Sequence, residues 1–299
     1  MLNTIDKIIA AAQEYRGGTI AVAAAHDKDV LAAVCSARMQ GLCDAVLVGD
    51  EVRMSAMLHE MGEAKFQMVS ADDDIACAKA AVKLVREGHA DFLMKGLLNT
   101  TDMLRAVVDK DNGLTADRLL SHVMLYEAPE HKLLANTDGG MNPYPDVSKK
   151  ADILENAATL MKALGYGRIY AACIAGSEVV SPKIQATMDA QALCSMTERW
   201  DKYDMKVFGP VGLDLAISQA AAAHKGYMVQ GAGEADILLM PTYEVGNGIG
   251  KALTYFGSAK SAGIVTGARV PIVLVSRADS AQVKLASIAL GAVAAHAAV

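Results

Sequence analysis

Two rhythms of apolar and polar positions alternate along the chain. Short continuous apolar runs, "TIAVAAA", "DAVLVG", "KFQMVS" and "DFLMKG", are each followed by a longer stretch with helical spacing, at 27–40, 50–61, 72–87 and 99–108. Strands covered on both faces read as unbroken apolar runs, so the first hundred residues predict a doubly wound parallel α/β layer. The rhythm then changes. "LLSHVMLYEA" and "HKLLANT" are two strand-like runs separated by a few residues that include Pro129, a spacing suited to an antiparallel hairpin. The Gly- and Pro-rich "DGGMNPYPDVSKK" after them is the best hinge candidate.

Alternation resumes with a helix at 147–164, the strand "RIYAACIAG", helices at 182–197 and 213–223, and the strand "ADILLMP". A helix at 247–258, the strand "VPIVLVS" and a final helix complete the pattern. The fold class is therefore α/β in two domains, drawn as 1–138 plus 271–299 for the first and 139–270 for the second.

Composition narrows the class. Hydrophobic residues make up 53% of the chain but aromatic ones only 5%, which favours layers of Val, Ile, Leu and Ala over a β-sandwich. The formal net charge of -6 comes with interspersed signs and no basic stripe, so a nucleic-acid partner has no electrostatic footprint. Cys35, Cys43, Cys77, Cys173 and Cys194 form an odd set without a CxxC pair and read as reduced core residues of a cytoplasmic protein. The histidines show neither HExxH nor close pairing, and no metal is expected. Only His122, in the hairpin strand, is kept as a candidate. Charges interrupt the N-terminal segment, and no window reaches the roughly 18 apolar residues of a membrane span, so neither export nor a membrane is expected.

Chemistry in open parallel sheets sits beyond the carboxyl ends of the strands, where loops feed helix N-termini. Three such junctions are polar. In "MKGLLNTTDMLRAVV", Lys95 closes a strand, Asn99 to Asp102 offer caps, and Arg105 stands one turn in, able to meet an anion or to pair with Asp102 or Asp109. "LMPTYEVGNGIGKAL" fails the Walker A pattern at Val245 and Ala252. Its Gly246 and Gly248 allow close backbone approach, and Asn247 is either a ligand contact or an N-cap. In "LVSRADSAQVK", Asp279 with Gln282 matches a capping box, whereas Arg277 beside a strand end calls for an anion, with Ser276 as a hydrogen-bonding neighbour.

Taken in order, these junctions resemble the phosphate acetyl/butyryl transferase family, and the compact length with "SRADS" is closest to its phosphate butyryltransferase branch. The resemblance extends from "AVAAAHDKDVLAAV" through "LSHVMLYEAPEHKLLANTDGGMNPYP" and "GPVGLDLAISQAAAAHKG" to "PIVLVSRADSAQVKLASIAL". It implies two α/β domains with a cleft between them, related to isocitrate and isopropylmalate dehydrogenases, in a homo-oligomer that is at least a dimer. The implied reaction is reversible acyl transfer between acyl-CoA and inorganic phosphate in a ternary complex, with butyryl-CoA ahead of acetyl-CoA. Coenzyme A enters as a substrate, and no further cofactor is implied.

By the same resemblance Arg277 holds phosphate and carbonyl oxygen, and Ser276 bonds the thiol or the tetrahedral intermediate. Arg105, Asn99, Lys95, Ser121, Glu244 and Asn247 are assigned to substrate binding. One position departs from the pattern: Val283 stands where the acetyltransferases carry an aspartate base. Asp279 is the first replacement candidate and Glu244 the second. Two rival readings are a metal-dependent NAD(P) decarboxylating dehydrogenase, which needs clustered aspartates, and a catalytically silent acyl-CoA-binding module.

Overall fold

The computed structural model describes residues 1–63, 66–116, 118–276 and 279–297. Arg277, the first-ranked anion ligand, lies outside the described residues. The chain divides into two compact units, one formed by Ile5–Arg118 with Ala262–Val299, the other by Met1–Thr4 with Leu119–Ser261.

The first unit begins with α1 (Ile5–Tyr15), β1 (Thr19–Ala23), α2 (Lys28–Met39), β2 (Asp44–Gly49), α3 (Glu51–Glu60) and β3 (Gln67–Ser70). It continues with α4 (Asp74–Arg86), β4 (Phe92–Lys95) and α5 (Thr100–Val107). The helices after β1, β2 and β3 start with one device: Asp27, Asp50 and Asp73 each accept a hydrogen bond from the backbone N–H three residues on, at 3.0, 3.0 and 2.7 Å. Strands β3, β2, β1 and β4 lie side by side in that order, all parallel. The order therefore reverses between β1 and β4, which makes their carboxyl ends the switch point where α/β sheets bind ligands.

The other unit holds β5 (Ser121–Glu127), β6 (Leu134–Thr137), α6 (Val147–Ala163), β7 (Ile169–Ile174), α7 (Gln185–Cys194) and α8 (Thr197–Asp201). It continues with β8 (Met205–Val211), α9 (Leu213–Ile217), α10 (Gln219–His224), β9 (Ile237–Leu239) and α11 (Tyr243–Tyr255). Its strands run β5-β6-β9-β7-β8, and the expected hairpin is present, β5 pairing antiparallel with β6 in the register Val123↔Thr137. The remaining pairs are parallel. Leu134, Ala172, Phe208, Val211, Leu215 and Leu238 belong to its buried core.

The chain closes with β10 (Lys260–Thr266), β11 (Ile272–Val273) and α12 (Ala281–His296). β11 pairs parallel with β4 in the register Ile272↔Leu93 and antiparallel with β10 through Val265↔Ile272. The helix is buried nearly all round, and an added Cβ on Gly291 would meet Val273 and Phe92 at 2.9 and 3.0 Å. Close packing against the strand layer is what that glycine permits.

Several sequence expectations change. Strands β8 and β10 were not foreseen: Gly209 and Pro210 break the apolar run of one, and small residues dilute the other. The helix expected at 247–258 starts at Tyr243, so "VGNG" is helical despite its glycines. The helix expected at 213–223 is two, parted at Ser218, whose side chain accepts from Ala221 N and caps the second. The hinge candidate is instead a tightly bonded turn inside one unit: the buried Asp138 carboxylate accepts from Gly140 N, Met141 N, His122 N and Asn142 Nδ2. By contacts the chain divides after Arg118 and after Ser261, where the sequence reading drew boundaries at 138 and 270, and β6 pairs with β9 inside the second unit.

Candidate active site

In the first unit, three loops meet at the switch point. Gly96 N and Leu97 N, leaving β4, donate to Ala23 O and Ala24 O at the end of β1, at 2.8 and 2.9 Å. Ala24 adopts φ 54°, a left-handed conformation uncommon without glycine and typical of functional sites. Beside β4, the chain leaves β11 towards an exposed Ser276. A cavity of about 30 Å³ is lined by Asp27 and Val30 after β1, Lys95, Gly96 and Leu97 after β4, Val275 and Ser276 after β11, and Lys284 from α12.

Each polar group on this wall has a definite setting. Lys95 is buried, and its Nζ donates to Gly96 O at 3.1 Å and Leu98 O at 3.0 Å, bracing the loop. Asp27 is committed to the cap of α2. Ser276 and Asp279 clasp each other: Ser276 N donates to Asp279 Oδ2 at 2.8 Å, and Asp279 N donates to Ser276 O at 3.1 Å. The capping box expected of Asp279 does not form. Ser280 is the N-cap of α12, its Oγ accepting from Val283 N, and Asp279 lies one residue too early to reach the helix N–H groups.

Arg105 belongs to a different surface. It pairs with Asp102 at 3.2 Å with its side chain 69% exposed, and lines a cavity of about 500 Å³ between α4 and α5 with Lys79, Lys83 and Arg86. Asp109 is not its partner; that carboxylate takes the backbone N–H of Asp111 and Asn112. Asn99 is exposed at the N-cap position of α5 and makes no side-chain capping bond.

In the other unit, the polar groups gather where β6 ends and α11 begins. Gly139 and Gly246 touch backbone to backbone, so a Cβ on Gly246 would meet Gly139 Cα at 2.8 Å and Asp138 O at 2.9 Å. Asn136 Nδ2 donates to Gly246 O at 2.9 Å, while Asn136 Oδ1 is buried with no hydrogen-bond partner among the described residues. Asn247 is half-buried in the second turn of α11, not a cap, and its Nδ2 donates to Gly139 O at 3.3 Å. Glu244 is exposed in the first turn and accepts from Tyr144 OH at 2.6 Å. That bond holds the Glu244 carboxyl below its ordinary range and pushes the Tyr144 phenol up.

Ser121, expected to bind substrate, lies in the interior of its unit. Its side chain is enclosed, and its Oγ accepts from Asn156 Nδ2 at 2.9 Å, fastening β5 to α6. His122 packs its ring on Gly140 while its backbone bonds Asp138 and Thr137. Sequence reasoning missed the Asp138 turn, whose signal was the Asp-Gly-Gly mistaken for a hinge. It also missed Lys284, hidden as one charge in an apolar helix.

Known proteins match this chain over nearly its whole length. Residues 73–292 match the family described as phosphate acetyl/butaryl transferase. A phosphate butyryltransferase of Clostridium acetobutylicum is 40% identical over 298 residues, 99% of each chain. A phosphate acetyltransferase of Rhizobium meliloti is 39% identical, over 96% of this chain and 92% of its own. A branched-chain phosphotransacylase from Enterococcus faecalis superposes with a TM-score of 0.84 at 32% identity, covering 93% of this chain and 99% of that one. The chain therefore belongs to the phosphate acetyl/butaryl transferase family. It is an acyltransferase.

Proposed function

We propose that the enzyme transfers a short acyl group reversibly between coenzyme A and inorganic phosphate, butyryl-CoA plus phosphate giving butyryl phosphate plus CoA, with acetyl-CoA as the alternative donor. The observation that carries this reading is near-full-length similarity to a phosphate butyryltransferase, joined to a cation- and serine-lined cavity at the switch point of the first unit. In the direction of acyl phosphate formation, a phosphate oxygen adds to the thioester carbonyl. The tetrahedral intermediate collapses by expelling the CoA thiolate.

Arg277 and Lys95 supply positive charge to the phosphate and carbonyl oxygens, and Ser276 donates a hydrogen bond to the developing oxyanion or the departing sulfur. Asn247, Glu244, Asn99 and Arg105 retain binding roles at the rims of their own units. In the reverse direction the thiol must lose a proton where Val283 replaces the expected aspartate. Glu244 is a weakened base because Tyr144 stabilises its ionised form. A thiol with a pKa of roughly 8.5 already carries a few per cent thiolate near neutrality, so positioning and charge contribute more than a dedicated base.

The two units stand for the two domains of an isocitrate and isopropylmalate dehydrogenase-like fold; supporting this, each carries its own parallel strands and flanking helices. The assembly is at least a dimer. Tyr255 and Phe256, 72% and 92% exposed at the end of α11, are neighbouring exposed aromatic residues that association would cover in this reading. Localisation is cytoplasmic in this reading; no helix among the described residues is long and apolar enough to cross a membrane.

The test is thiol release from acetyl-, butyryl- and branched acyl-CoA, with and without inorganic phosphate. Release is expected to require phosphate, with butyryl-CoA giving the highest kcat/KM. Arg277→Ala is expected to fold and to lose several powers of ten in rate. Equal release without phosphate overturns the reading, and tight butyryl-CoA binding without turnover points to a silent binding module.

A further inference from the structure

Lys284 is in an unfavourable place by three measures. It stands in the first turn of α12, where the positive end of the helix dipole opposes a cation. Its side chain is 8% exposed, and lysine is rarely buried without a close counter-charge. Among the described residues the carboxylate within ion-pair reach is Asp29, 3.8 Å away and 76% exposed, so it compensates the ammonium weakly.

The other buried lysines are better served. Lys150 meets Asp189 at 2.6 Å with both side chains buried, and Gln185 holds the second oxygen of that carboxylate. Lys95 donates to two backbone carbonyls. The Lys284 ammonium makes no hydrogen bond among the described residues, and Lys284 lines the cavity that Ser276 and Lys95 share. Asp27, the carboxylate on that wall, caps α2 by accepting from Val30 N through Oδ1, and it forms no ion pair with Lys284 among the described residues. An under-compensated cation facing a small cavity is completed by an anion that arrives there.

We propose that Lys284 binds a phosphate-type oxyanion of the substrates in this cavity, together with Lys95 and Ser276. The assignment rests on the phosphate acyltransferase reading. The cavity's volume of about 30 Å³ is on the order of that needed by two or three waters at ~10–15 Å³ each, which suits a single phosphate group better than a nucleotide. Inorganic phosphate and the phosphates of CoA share this chemistry, and kinetics separate them.

The experiment compares wild type with Lys284→Met, which keeps an unbranched apolar stem of nearly the same length but removes the ammonium, and Lys284→Arg, which keeps the charge. Steady-state KM values for phosphate and for acyl-CoA are measured separately. The expected result is a KM for inorganic phosphate raised about tenfold or more in Lys284→Met, with the KM for acyl-CoA within about twofold and partial recovery in Lys284→Arg. A rise confined to acyl-CoA also supports oxyanion binding and assigns it to a CoA phosphate. Both constants and kcat unchanged within about twofold would overturn the proposal.

A second measurement does not depend on turnover: inorganic phosphate should raise the Tm of the wild type more than that of Lys284→Met, whose shift should require about tenfold more phosphate. Equal shifts in both proteins overturn the proposal. A wild type that shows the phosphate shift but no phosphate-dependent CoA release instead contradicts the acyltransferase reading and leaves the role of Lys284 standing.

Discussion

Asp279 and Ser276 show how one carboxylate divides between two roles. With Oδ2 accepting from Ser276 N, Asp279 holds the serine's backbone at the strand end in a closed turn. A clasp needs an acceptor, whereas a base needs a titratable carboxylate. The clasp role predicts that Asp279→Asn, which keeps an acceptor oxygen, retains activity within about threefold, while Asp279→Ala loses about tenfold or more. If both variants lose activity equally and the pH–rate profile changes, Asp279 is the base. The sequence made Ser276 and Arg277 legible through their motif, but could not divide Asp279 from Ser280 as the cap. Both residues are good caps, and one residue of shift in the helix start decides between them.

At the scale of elements, two glycines of α11 differ in what surrounds them. Gly246 lies against Gly139 and Asp138 at sub-contact distance from any added Cβ, whereas a Cβ on Gly248 would meet nothing within 4 Å. Gly246→Ala is therefore expected to destabilise by about 1–3 kcal/mol through overpacking. Gly248→Ala, two residues on in the same helix, is expected to stabilise by up to about 1 kcal/mol through helix propensity. Thermal melts of the two variants check the sign of each. The "GNG" pattern announced backbone crowding in the sequence, yet it also resembled a loop. Only the contact with the turn after β6 shows that the crowding is helix against turn.

At the scale of the molecule, charge burial ties stability to pH as well as to site chemistry. Burial pushes the Glu155 carboxyl up, but bonds from Arg199 at 2.7 Å and Lys202 at 2.6 Å outweigh it and hold the group below its ordinary value of 4.5. As pH falls, the unfolded chain takes up that proton before the folded one. The contribution is therefore complete above the unfolded value and is lost as pH drops through the folded one. Glu155→Gln is expected to cost about 1–3 kcal/mol at neutral pH, with Arg199 and Lys202 partly screened by solvent. The gap in Tm from wild type should narrow in acid. A constant gap from pH 7 to about pH 3 would show that Glu155 acts through packing alone.

The sequence by itself determined what is local: the alternation of buried strands and helices, the hairpin, and the polar junctions that carry Ser276, Lys95 and Asn247. Periodicity depends on neighbours two to four residues apart, so a linear reading recovers it, whereas the cap of α12 shifted by one residue from Asp279 to Ser280. Tertiary structure alone decided which strand ends meet. Pairing of Ile272 with Leu93 brings the loop bearing Ser276 beside the one bearing Lys95, and the burial of α12 turns Lys284 from one charge in an apolar helix into part of the cavity wall. It also enclosed Ser121 and kept Arg105 on the separate surface between α4 and α5. Those outcomes follow from contacts between residues far apart in the chain, whose geometry no spacing rule encodes.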